Sequence, residues 1–207
     1  GKIDRQSLQR VIANGGELTD AVTKLVLEKI LELGAVVNQV PVWIKVSVGS
    51  VAKTELISSL DNVAVGDTGL TFGISNNAKD ITSQPTCVVS DAAEDVEFAI
   101  ATPKDLGLKG SPTTGEFFDE KNLVKYGLEL CKPDDAHTLR KVYTDQPNEE
   151  WLPIGMKPIR DSGGFRHVFY LRRHGSVLWL RGGDDAFPQD RWVLRDRVVF
   201  RVRKNQS

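Results

Sequence analysis

No run of about eighteen consecutive apolar residues occurs in this 207-residue chain, which excludes a membrane-spanning helix. Cysteine is scarce. Cys87 and Cys131 stand far apart, and two thiols are too few for the disulfide framework of a small secreted domain, so both are expected as unpaired core or surface residues. Three histidines leave few candidates for acid–base or metal chemistry. There is no phosphate-cradling glycine loop ending in Lys-Ser/Thr, no dinucleotide fingerprint and no paired-histidine zinc helix. Neither a Gly-x-Ser-x-Gly elbow nor a Cys-x-x-Cys pair is found. A basic-then-apolar leader is missing too. Gly1 is not a natural start, which leaves a removed leader or tag open; a cytoplasmic location is the expectation, and no cofactor is expected.

What is present is ordinary globular material: 40% apolar and 27% charged residues. The length suits one large domain or two small ones. A net charge of −1 hides an asymmetry. From Arg166 to Ser207 nine arginines and Lys204 face four aspartates, whereas the first 165 residues carry 17 basic and 24 acidic side chains. Such an imbalance points to polyanion binding, or to one half docking on the other.

Along the chain, Ile3 to Ala13 reads as a short helix and Glu17 to Leu33 as an amphipathic one capped by Gly34. The period then changes to two. Val40 to Val48 alternates as a half-buried strand, starting at or edged by Pro41. Leu70 to Ile74, Cys87 to Val89 and Val96 to Ile100 read as further short strands, and their spacing predicts antiparallel meanders. Residues 102–116, rich in Gly, Pro, Ser and Thr, form the predicted boundary: a linker or long loop between a helix-plus-sheet portion (1–101) and a second portion (117–207). Helical signals return over Glu120 to Leu130 and Pro133 to Tyr143. In the second, Pro133 suits the first helical position, and Asp134 and Asp135 suit the first turn. Four β-like runs follow: Trp151 to Ile159, Arg166 to Arg173, Ser176 to Arg181 and Arg191 to Arg203, with a tight hairpin at His174-Gly175. The fold class is α+β and antiparallel β-rich, with N-terminal helices plus sheet followed by a C-terminal antiparallel sheet, a small sandwich or open barrel.

Three strings carry chemistry. Gly182-Gly183-Asp184-Asp185, after the apolar run Val177 to Leu180, resembles the metal-binding hairpin of nucleotide cyclase and polymerase palm domains. That likeness implies a magnesium-dependent nucleotide site at Asp184 and Asp185. It covers four residues, lacks the earlier aspartate-bearing strand, and has a plain turn as its preferred reading. Asp134 and His137, three apart on a helix, could share a metal, although a helix start accounts for the acids without one.

The third string is the C-terminal run. Trp192, Leu194, Val198, Phe200 and Val202 occupy even positions, and Arg191, Arg195, Arg197, Arg201 and Arg203 odd ones. An extended segment would turn one face inward and present guanidinium groups roughly 6–7 Å apart on the other. A turn at Arg195-Asp196-Arg197 would split the row. Arg172, Arg173 and Arg181, from neighbouring strands, widen the patch. These eight arginines are the candidate binding residues. The plain reading is a solvated face whose heads pair with the acidic half. Beyond it, the sequence favours a non-catalytic binding or assembly module with a protein partner or self-association, and nucleic-acid binding as the alternative. This reading expects alanine at Arg195, Arg197 and Arg201 to spare the fold and abolish partner capture. Parity puts Trp192 on the core face, away from any base.

Overall fold

A computed structural model describes residues 40–183 and 187–204. The two predicted N-terminal helices, and Asp184 and Asp185, lie outside the described residues. The chain runs β1 (Val42–Val48), α1 (Lys53–Ser58), β2 (Val63–Ala64), β3 (Thr71–Ile74), α2 (Asn76–Ser83) and β4 (Glu94–Ala101). It continues through α3 (Thr114–Phe117), α4 (Glu120–Lys125), β5 (Leu128–Glu129), α5 (Pro133–Val142) and β6 (Trp151–Pro153). β7 (Ile159–Arg160), β8 (Arg166–His174), β9 (Val177–Gly183) and β10 (Val198–Val202) complete it. The fold is α+β, with two mostly antiparallel sheets that do not close into a barrel.

The first sheet has the order β1-β4-β10-β5 and is antiparallel throughout. The second has the order β2-β3-β9-β8-β6, with β7 also paired to β8. Both sheets mix strands from before and after residues 102–116: β10 lies against β4, and β9 against β3. The β3–β9 pair is parallel, the exception among strand pairs that are otherwise antiparallel, as the β-rich antiparallel expectation has them. The meander rule assumes neighbours in sequence, and about a hundred residues separate these two strands.

Local signals explain most elements. The Ser75 hydroxyl accepts from the Ala78 amide to cap α2. Thr113 and Glu116 form a reciprocal capping box on α3. Pro133 sits in the first turn of α5, as predicted. α4 stops earlier than expected, because Gly127 takes a φ of +71°, the left-handed conformation that ends helices, and β5 follows at once. The β8–β9 hairpin turns at Gly175-Ser176, with Gly175 at φ +60° in the first central position, as a type II′ turn requires. Cys87 to Val89 is a loop, not a strand. The Cys87 amide closes a turn onto the Gln84 carbonyl and the Ser90 amide goes to Asp134, which leaves no ladder to join.

One core fills the space between the sheets. Val96, Phe98 and Val199 of the first sheet meet Ile74, Leu152, Phe169, Leu178 and Leu180 of the second, with Ala136 and Leu139 of α5 among them. A second cluster covers the far side of the first sheet, where Phe117, Leu123 and Trp192 pack on Ala99, Ala101, Val198 and Phe200. The sheets are stitched together at Ile154-Gly155, whose amides go to the Phe169 and Val199 carbonyls at 2.9 and 2.8 Å. A Cβ on Gly155 would lie 2.3 Å from the Phe200 ring. Gly155→Ala is expected to cost about 1–3 kcal/mol by overpacking, read as a lower denaturant midpoint with an unchanged slope.

Candidate functional site

The structure dissolves the straight row of arginines. Residues 191–197 are not strand, because the Asp196 carboxylate accepts from the Val193 amide at 2.6 Å and the Asp196 amide returns to the Val193 carbonyl. The sequence contains the reason: Asp at this position offers the backbone a local partner that outcompetes a ladder. Phe187 to Asp190 closes in the same way. Only Val198–Val202 is β10, and that strand is covered on both faces, so Val198, Val199, Phe200 and Arg201 are all buried.

Arg201 is therefore no member of a surface row, and this corrects both the one-sided reading of the alternation and the expectation that alanine at Arg201 spares the fold. Its side chain is 4% exposed, and it donates through Nε and Nη2 to the two oxygens of Asp135, each at 2.6 Å. Nη1 reaches Glu94 at 2.7 Å. Burial works against the guanidinium charge, but the Asp135 and Glu94 carboxylates outweigh it and hold the group protonated well above its usual range. Glu94 also accepts from Lys132 at 2.8 Å, and Lys132 and Arg201 together hold its carboxyl down at about 2.

The other candidates divide. Arg172 donates to Glu149 at 2.8 Å, and Arg197 to Glu150 at 2.7 Å. Arg173 bonds the Gln146 and Gly175 carbonyls, and Arg191 the Ser111 carbonyl. Arg191, Arg195 and Arg203 are exposed. Pairing with the acidic half is thus real for Arg172, Arg197 and Arg201.

Arg181 is different. It extends from β9 over the indole of Trp179, with the guanidinium carbon 4.9 Å from the ring centroid. Register then defines a face. Trp179 stands opposite Arg172, and Arg181 opposite Tyr170. Trp151 stands across from Arg172, and Gly73 across from Trp179. All four aromatic and arginine side chains of β8 and β9 here are half-buried, as is Trp151. Gly73 is required beneath the indole: a Cβ there would lie 2.7 Å from the Trp179 ring. The opposite face carries Leu171, Leu178 and Leu180 into the core, where α5 reaches it through His137 against Phe169 and α2 through Ile81 against Gly182. The result is an outer sheet face built of Trp151, Tyr170, Arg172, Trp179 and Arg181. The sequence reading had both arginines in its patch but missed Tyr170, Trp151 and Gly73. Parity along β8 and β9, anchored at Gly175, was the signal that finds Tyr170.

The acid–histidine strings are structural. Asp135 accepts from the Lys132 amide at 2.7 Å, and Asp134 from the Ser90 amide at 2.9 Å. Buried His137 has both ring nitrogens engaged, Nε2 with the Thr82 hydroxyl at 3.0 Å and Nδ1 with the Pro133 carbonyl at 3.2 Å. Burial lowers its pKa to about 4. His167 pairs with Asp161 at 2.9 Å. Both cysteines are buried and unpaired, and burial pushes the Cys87 thiol up to about 11 and Cys131 well above its usual value. Neither is a ready nucleophile, since the thiolate is the reactive form. Among the described residues no group of three or more His, Cys, Asp or Glu could hold a metal.

Two open grooves of about 360 and 510 Å³ share Val88 and Lys132 as lining. Glu94 and Lys132 in one, and Lys157 and Glu120 in the other, are already tied to each other as ion pairs. Among the described residues no helix is long and apolar enough to cross a membrane. Comparison with known proteins finds no family model, no curated protein and no solved structure that matches the chain.

Proposed function

We propose that this chain is a non-catalytic binding or assembly module that engages a protein partner through the outer face of its second sheet. The observation that carries this is Arg181: a half-buried guanidinium stacked on Trp179, with no carboxylate paired to it among the described residues. Tryptophan, tyrosine and arginine on a pre-formed face are the residue types that dominate binding energy at protein interfaces. The indole is fixed in advance against Gly73, so ordering it on binding costs little. The engagement of both nitrogens of buried His137 supports a non-catalytic reading of that residue.

Nucleic-acid binding has less support. Three of the eight candidate arginines are already neutralised by Glu149, Glu150, Asp135 and Glu94, and the chain as a whole carries −1. Phosphate recognition draws on unpaired positive charge.

The test is site-specific photo-crosslinking in cells, with the reactive residue in place of Val177 at the margin of the face. A discrete adduct is expected from Val177, lost on Trp179→Ala or Arg181→Ala, and kept on Arg195→Ala. An adduct pattern indifferent to Trp179 and Arg181 would sink the proposal.

A further inference from the structure

Resting on that reading of the face, we infer that the segment it accepts is an acidic peptide, one that sets a carboxylate against Arg181 and an apolar side chain against the indole. The unmet donors on the face point to it. Arg172 and Arg181 stand diagonally across the β8–β9 pair, which places their Cα atoms roughly 7–8 Å apart. Their Nε atoms are both shielded from solvent without an acceptor among the described residues. Arg172 has its terminal nitrogen on Glu149, so part of its donor set is met from within. For Arg181, among the described residues, none of it is. The only described interaction of its side chain is the stack on Trp179.

A shielded guanidinium nitrogen without an acceptor is costly, and a group that supplies two oxygens in a plane matches the fork. A carboxylate does this, and Asp135 shows the geometry on Arg201 within the same chain, with two bonds of 2.6 Å. The setting also sorts ligands by what lies around the cation. Trp179 and Tyr170 are half-buried aromatic surface, which rewards an apolar neighbour of the acid. Glu149, the carboxylate bonded to Arg172, is held between Arg172 and His174 at 2.8 and 2.6 Å and is not free to swing to Arg181. Among the described residues, then, nothing completes the charge of the face, and that is left to the partner.

The test uses a fluorescein-labelled peptide of alternating glutamate and phenylalanine, read by anisotropy at low salt against the full chain. Controls are an alternating lysine–phenylalanine peptide and a labelled single-stranded oligonucleotide. The glutamate peptide is expected to bind, about tenfold or more weakly with Arg181→Ala, and as well as wild type with Arg195→Ala. Arg181→Lys is expected to fall between, because it keeps the charge and loses the fork. Equal binding by wild type and Arg181→Ala, or no binding, overturns the inference. Capture of the oligonucleotide with the same dependence on Arg181 also overturns it, in favour of phosphate. If the Val177 adduct persists while the glutamate peptide fails, the face stands and its acidic ligand falls; loss of both removes the face.

Discussion

Arg201→Met is expected to destabilise the protein by about 3–5 kcal/mol, the range for breaking a buried ion pair from one side. The cost arises on what is left behind. Asp135 is fully buried, and both of its oxygens are met by Arg201. Without the guanidinium it keeps, among the described residues, only the Lys132 amide. Burial already pushes the Asp135 carboxyl up, and loss of the cation would push it further. Pairing Arg201→Met with Asp135→Asn should recover a substantial part of the loss. The amide still accepts from Lys132 and leaves no buried charge. Chemical denaturation of the two single variants and the double variant gives the coupling directly. A midpoint for Arg201→Met equal to wild type would contradict the network. Glu94 adds a dependence on acidity: its carboxyl is held down at about 2, so its contribution is present above about pH 4.5 and is lost as pH falls toward 2.

This network also marks where sequence reasoning stops. Alternation of arginine with valine and phenylalanine over 197–203 is what a half-solvated strand looks like, and period two cannot distinguish water from a buried acid on the polar side. Only the position of β10 between β4 and β5, with α5 beyond one face, makes Arg201 internal. Asp135 was legible as a helix-start residue and is one; its second role needs a contact across 66 positions. The same division runs through the fold. The β8–β9 hairpin and α5 follow from a glycine at a turn and a proline at a first turn, signals that lie within the element. The parallel β3–β9 pair and the joining of β10 to β4 depend on chain segments meeting across about a hundred residues, for which no local pattern exists. Aspartates and glutamates three residues after an amide were the underread signal. Asp105, Glu116, Asp135, Asp190 and Asp196 each accept from the backbone amide three positions earlier. Those five acids fix turns and caps, which is why they split runs that hydropathy alone would join. The proposed binding face was half visible: Arg172 and Arg181 came from the predicted neighbouring strands, whereas Trp151 and Gly73 came from register.

Between pH 6.5 and 4 the protein is expected to lose on the order of 3 kcal/mol of stability through one residue, His137. Its direct contacts are apolar or neutral: the Phe169 ring stands edge-on at 5.0 Å, and the Thr82 hydroxyl and Pro133 carbonyl take its two nitrogens. Desolvation lowers its pKa from 6.5 to about 4, while the Pro133 carbonyl and Asp134 pull the other way and Lys141 adds to the lowering. In the unfolded chain the imidazole takes its proton near pH 6.5; in the folded chain it does not until about 4. Across that window the unfolded state binds more protons, so stability falls as pH falls, by about 1.4 kcal/mol for each pH unit crossed. His137→Gln keeps a hydrogen-bonding side chain of similar reach and removes the titration. Its melting temperature should lie below wild type at pH 7 and change far less between about pH 6.5 and 4.5, above the range where Glu94 begins to titrate. A wild-type melting temperature flat over that interval, or a variant with the same slope as wild type, would show that His137 is not held neutral by its burial. Because both of its nitrogens must be released for it to act on any substrate, the same measurement bears on function. A strong His137-dependent acid limb places this residue in the fold's stability rather than in a reaction.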